Sequence, residues 1–287
     1  MYYYKYRQIL LLMEGDFLET KGLMGGLYKI TEWIMRIAGS NLYWVLCSSP
    51  ILLLLFLGLN YVASTNMPIP FEIYMPMVVL APFTLFPATA ALFSVTRKWV
   101  LGETDLSITK LFFRSYKDNY KQSMLGGIFY TLLIVIMYVD YEVYMKEFKN
   151  MQILGIVMMV LLFFILLSLF NFFSLVAHFH MKVKMLIKNA ILLTVLRPFR
   201  TLSTFLTAVV IGFITLKFTW LIPFGFATLI AWMAYFNFNI AYTKVQEKVE
   251  RLRQVEEEGT QQTDGEASED AESVVAELTE GEDKEKN

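Results

Sequence analysis

Polar and apolar positions fall in long blocks along this chain, not in the short alternation of half-buried strands. No Asp, Glu, Lys or Arg lies between Arg36 and Glu72, and the same holds for 73–96, 122–139, 150–181, 201–216 and 218–243. About 20 apolar residues carry a helix across the hydrocarbon core of a bilayer. The runs therefore predict an all-α, polytopic membrane protein with six transmembrane helices, at about 41–59, 74–95, 123–139, 151–179, 201–216 and 223–242. Pro223 suits the first turn of the last one.

Ahead of the first run, Leu23, Leu27, Ile30, Ile34 and Ile37 recur at helical spacing, with Lys29, Glu32 and Arg36 on another face. This predicts an N-terminal interfacial amphipathic helix, with Tyr28 and Trp33 at headgroup level and Glu32 and Arg36 spaced for an ion pair. A polar, proline-bearing loop is expected over 60–71. The second run carries Pro76, Pro82 and Pro87, and Pro87 is expected to kink the helix and free the carbonyl of Phe83. Thr84, Ala88 and Ala91 beside it form a small-residue face. The reading favours close packing there, with a place on a substrate path as the alternative.

Charge then orients the chain. Six bases lie in 96–122 and five in 181–200, against three (Lys146, Lys149 and Lys217) in the intervening loops. Bases also flank both ends of the membrane region, which puts both termini in the cytosol. Within 96–122, Lys110, Arg114, Lys117 and Lys121 form one stripe opposite Ile108, Leu111, Phe112 and Tyr116. This predicts a surface helix whose bases meet anionic lipid, or else dock a cytosolic partner. A short loop is expected at 140–150, and Asn171 is the one amide in the interior of the fourth span, a candidate for a helix–helix hydrogen bond.

The domain plan is an ill-defined extension at 1–21, a membrane domain at 22–243, a helical extension at 244–255 and an acidic disordered tail at 256–287. From Gln254 onward there are 13 acids and 2 bases, so the net charge of −1 hides a basic body. Translation from Met13 instead of Met1 is one explanation for the extension. With 56% hydrophobic and only 18% charged residues, the composition excludes an ordinary soluble domain.

Reactive chemistry is sparse. The chain has no phosphate-cradling G-x-x-x-x-G-K-[ST] loop, no H-E-x-x-H and no G-x-S-x-G. Cys47 is the lone cysteine, and His178 and His180 are two apart, off the spacing of a helical metal pair. No cofactor, no metal, no nucleic-acid partner and no enzymatic activity are expected. The charge-free spans also argue against an intramembrane acid relay.

Several stretches share one further property. Gly25-Gly26-Leu27-Tyr28, Thr31-Glu32-Trp33-Ile34-Met35-Arg36, Asn41 with Trp44, Phe86-Pro87-Ala88-Thr89-Ala90-Ala91-Leu92, and Arg97-Lys98-Trp99 with Gly102-Glu103 together resemble the YesL-like family of bacterial integral membrane proteins. The resemblance covers about 22–240 and is sharpest over 22–122. It implies a protein of the bacterial cytoplasmic membrane, of a kind often encoded beside sugar importers and polysaccharide-degrading enzymes. It implies sugar-importer subunits as partners besides membrane lipid, and an accessory or permease-like role in carbohydrate uptake. A non-transporting scaffold or regulator is the alternative. The family supplies no catalytic residues, so Glu32, Trp33, Arg36, Asn41, Trp44, Pro87, Thr89, Arg97, Trp99 and Gly102 stand as motif residues without assigned roles.

Overall fold

Uncharged runs do become helices, but the helices break and continue at places that charge does not mark. The computed structural model describes residues 23–148, 151–251 and 253–254. The extension 1–21, Gly22 and the acidic tail 256–287 lie outside the described residues. Among those described there are helices and no strands. Two compact units divide the chain, 1–238 and 239–287.

In the first unit the helices are α1 (Leu23–Cys47), α2 (Ser49–Thr65), α3 (Phe71–Leu80), α4 (Leu85–Val100), α5 (Ile108–Lys146), α6 (Gln152–His178), α7 (Val183–Leu196), α8 (Pro198–Lys217) and α9 (Leu221–Phe224). A further helix, α10, takes up 226–238 of this unit. In the second unit the described residues 239–251 and 253–254 are helical.

Among the described residues three helices are long and apolar enough to cross a membrane: α5, α6 and α8. Two bent pairs, α1 with α2 and α3 with α4, raise the number to as many as five if each pair is one span. The sixth expected segment, 223–242, is not among these; the turn at Gly225 falls within it and residues 226–242 are helical.

The expected first span, 41–59, straddles a 79° bend between Cys47 and Ser49. The cause is local: Pro50 lies in the first turn of α2, where its missing N–H costs nothing, whereas in a helix continued from α1 it would leave the Leu46 carbonyl without its donor and crowd it. α1 thus runs unbroken through the expected boundary between interfacial helix and span, and α2 carries on to Thr65 through part of the expected loop.

The second span is also divided. α3 and α4 meet at 47° across 81–84, where Pro82 sits and the Phe86 N–H reaches back five residues to the Ala81 carbonyl. Pro87 is the third residue of α4. A first-turn N–H has no partner inside its own helix, so Pro87 fits that turn and does not interrupt a longer helix as expected. The bend precedes it.

α5 joins what charge had separated. Its 39 residues, about 58 Å at 1.5 Å each, hold both the basic stripe and the expected third span, and run through most of the 140–150 loop. The stripe is therefore the first part of a helix that also carries a candidate span, and not a helix of its own. Similarly the basic loop 181–200 contains α7, which buries Leu186, Ile187, Ala190 and Thr194 on one face.

The core is the packing of α4, α5, α6 and α7, with α1 laid against α4, α5 and α9. Ala88, Ala90, Ala91 and Val95 of α4 have no exposed surface, which lets neighbouring backbones approach closely. At Gly127 a Cβ would sit 2.7 Å from the Phe86 ring and 3.0 Å from the Cα of Pro82, and Gly126 is covered as tightly by Phe172.

Candidate functional site

α1 is built inside out compared with a soluble amphipathic helix. Its apolar residues Leu27, Ile30 and Ile34 are about 60% exposed, while Ser40 and Asn41 are fully buried. Lipid outside and polar partners inside explain that inversion, because hydrocarbon accepts leucine but no unpaired polar group. The expected apolar stripe is real and faces away from the protein; the opposite face carries the family motif.

Along that inner face the motif residues meet partners one after another. Arg36 Nε donates to Glu32 Oε1 at 3.1 Å, and Arg36 also donates to the Thr104 carbonyl just beyond α4. Gly102 makes that approach feasible: its φ of +85° lies in the left-handed region that favours glycine, and it ends α4. Lys98 bridges to Glu103 at 2.7 Å and fastens the same turn.

Trp33 stacks on Trp232 of α10 with ring centres 5.1 Å apart and 3° between planes, and Trp99 meets both edge-on. Trp33 thus packs against two other indoles of the fold.

One turn deeper, Ser40 shares a 3.2 Å hydrogen bond with Thr228. Asn41 spans the break between α9 and α10. Its Nδ2 donates to the carbonyls of Ile222 and Pro223 at 2.8 and 2.7 Å, and its Oδ1 accepts from the N–H groups of Ala227 and Thr228 at 2.9 and 3.2 Å. One side chain thereby satisfies the end of one helix and the start of the next, a capping task usually done from within the chain's own turn.

Trp44 Nε1 donates to Thr89 Oγ1 at 3.1 Å, and Thr89 donates to the Leu85 carbonyl at 2.7 Å. Arg97, near the other end of α4, donates to the Ala177 carbonyl in the last turn of α6 at 3.0 Å, where a cation is favoured. Seven of the ten motif residues thus tie α1, α4, α6 and the α9–α10 break into one frame, and Glu32 and Gly102 support the Arg36 contact from within their own helix and turn. Pro87 is buried but contributes only to the first turn of α4.

Beside this frame lies a groove of about 520 Å³ between α4, α6, α8 and α10. Trp44 and Thr89 contribute to its wall, and Leu92, Phe170, Phe205 and Ala208 are typical of the rest. Elsewhere Lys110, Arg114, Lys117 and Lys121 are all exposed, while Phe112 and Asn119 of the same turns are buried. Arg114 lies 3.6 Å from Asp118 in a solvent-exposed pair.

Sequence reasoning named Asn171, and it does join helices: its Nδ2 donates to Thr194 of α7 at 2.8 Å and approaches Thr201 of α8 at 3.4 Å. It missed Thr104, Thr228 and Trp232, which complete the motif contacts, and the buried pairs Ser94–Asn119, Tyr130–Ser168 and Thr204–Asn237. Single hydroxyls within apolar runs give no pattern from which a partner could be named. Among the described residues no three His, Cys, Asp or Glu side chains gather as metal ligands would.

Comparison with known proteins agrees with the motif residues. Residues 37–141 match the family described as protein of unknown function, DUF624. The uncharacterized protein YteU of Bacillus subtilis is 29% identical over 225 residues, which cover 78% of this chain and 87% of YteU. The uncharacterized protein YesL of the same organism is 26% identical over 178 residues, 62% of this chain and 70% of YesL. No solved structure matches the chain. Motif, family match and relatives agree: this chain is similar to the YesL-like proteins, and its residues 37–141 match the DUF624 family of unknown function.

Proposed function

We propose that this protein is a non-enzymatic accessory component of carbohydrate uptake, held in the bacterial cytoplasmic membrane with both termini in the cytosol. The observation that carries the reading is how the motif side chains are used. Arg36, Asn41, Trp44, Thr89 and Arg97 are each engaged with a neighbouring helix or turn, Glu32 pairs with Arg36 in its own helix, and the groove beside them is apolar. A sugar route needs polar groups turned toward its hydroxyls. A frame that spends its polar groups internally suits a protein that supports or positions an importer. The carbohydrate setting itself comes from the family resemblance.

The test is deletion of the gene and growth on a panel of oligosaccharides, joined to purification of the tagged full chain. Loss of growth on a subset, with an importer permease, ATPase or solute-binding protein co-purifying, supports the reading. Normal growth on every oligosaccharide, with none of these subunits recovered, refutes it.

A second reading, a scaffold or regulator without a part in transport, is favoured by the exposed basic stripe of α5. Changing Lys110, Arg114, Lys117 and Lys121 together to Gln separates the two. Loss of a cytosolic partner with uptake unchanged favours regulation.

A further inference from the structure

We propose that the 520 Å³ groove between α4, α6, α8 and α10 is a binding site for one lipid acyl chain, with Trp44 and Thr89 in its wall. Three observations support this occupant, and none depends on the carbohydrate reading.

The first is chemical. The polar atoms that Trp44 and Thr89 bring to the wall are already engaged, Trp44 Nε1 with Thr89 Oγ1 and Thr89 with the Leu85 carbonyl. The other lining side chains are Leu, Phe, Ala, Val and Ile. A polar ligand would be desolvated there without compensation, at a cost of kilocalories per group.

The second is position. Phe163, Leu166 and Val209 of the lining are 36–50% exposed, on helices that have the length and composition of membrane spans. The groove thus opens onto the surface that meets lipid, and acyl chains are what stands at its mouth.

The third is size. A helix is about 10 Å across, so 520 Å³ would take little more than one turn of a partner helix. A thin flexible chain can fill the same space along its length.

Brominated acyl chains quench tryptophan fluorescence on contact, and Trp44, at 9% exposure, is shielded from lipid that merely surrounds the protein. The full chain and its Trp44→Phe variant are reconstituted in vesicles of dioleoyl phosphatidylcholine or of dibromostearoyl phosphatidylcholine. The difference between the two proteins isolates the Trp44 signal, which is expected to lose most of its intensity in the brominated lipid. Ala208→Phe fills the groove and is expected to restore that signal, whereas Ala208→Ser keeps the space and the quenching. Should Ala208→Phe fold poorly, Val209→Phe at the exposed mouth serves as a second plug. A Trp44 signal that stays bright in brominated lipid overturns the proposal, and so does quenching that survives both plugs. A bright Trp44 together with disulfide-linked pairs of Val209→Cys chains would place a second copy there instead.

Discussion

Replacing Asn41 by Ala removes four hydrogen bonds to main-chain groups at once, two to carbonyls at the end of α9 and two from N–H groups at the start of α10, besides a longer one from the Thr228 hydroxyl. Interhelical hydrogen bonds in membrane proteins average about 0.6 kcal/mol each, so four give a lower figure of about 2.4 kcal/mol. Backbone groups left buried and unpaired push the cost up by about 1–3 kcal/mol apiece. Some relaxation of the α9–α10 turn will offset part of that, and we expect a net loss of about 2–6 kcal/mol. Asn41→Asp should fare no better: its carboxylate still accepts from Ala227 and Thr228 but cannot donate to Ile222 and Pro223, and it buries a charge. Leu42→Ala is the control, because Leu42 is 52% exposed toward lipid and its truncation removes no polar contact. Equilibrium unfolding in mixed micelles with increasing sodium dodecyl sulfate, followed by intrinsic fluorescence, measures all three. An Asn41→Ala variant within about 0.5 kcal/mol of Leu42→Ala, the range of an inert surface change, would refute the role given to this side chain.

Other expectations follow from backbone approach and from charge. Gly127→Ala should cost about 1–3 kcal/mol through overpacking against Phe86 and the Pro82 backbone, whereas Gly155→Ala, whose new methyl meets the flexible Met145 side chain, should be close to neutral in the same unfolding assay. Pro87→Ala should not stabilise the protein, because a new N–H in the first turn of α4 finds no partner within the helix; a raised unfolding midpoint would show that the turn rearranges to supply one. In a Cys47→Ala background, a cysteine at Ser64 should react with an impermeant maleimide in intact cells and one at Lys117 only after lysis. Labelling of Lys117→Cys in intact cells would reverse the orientation.

The sequence reading located apolar blocks well and helix ends poorly, and the reasons are physical. Uncharged residues mark what hydrocarbon tolerates, not where a backbone turns, so the run 37–71 hides the bend at Ser48 even though Pro50 announces it. Conversely, charge does not stop a helix. Lys110, Arg114, Lys117 and Lys121 share one face of α5 and are solvated there, so the helix passes from basic to apolar without a break. The stripe Leu27, Ile30 and Ile34 was legible as helical, and its outward orientation follows once lipid is taken as the surroundings. The motif residues could be named but not joined. Asn41 is a lone amide in an apolar stretch, and its partners are main-chain groups at 222–228, which no side-chain pattern displays.

The reach of Asn41 also bears on how the chain is made. Its partners lie 181 to 187 residues downstream, so α1 leaves the ribosome with a polar inner face that nothing yet covers. At about 5–20 residues per second, the covering strand of backbone follows some ~10–40 s later. Throughout that interval the nascent chain exposes the Asn41 amide to whatever the insertion machinery offers, water or a chaperoning groove, since lipid alone cannot pair it. A chain cut short before α10 therefore keeps, at its beginning, an amide whose partners were never made.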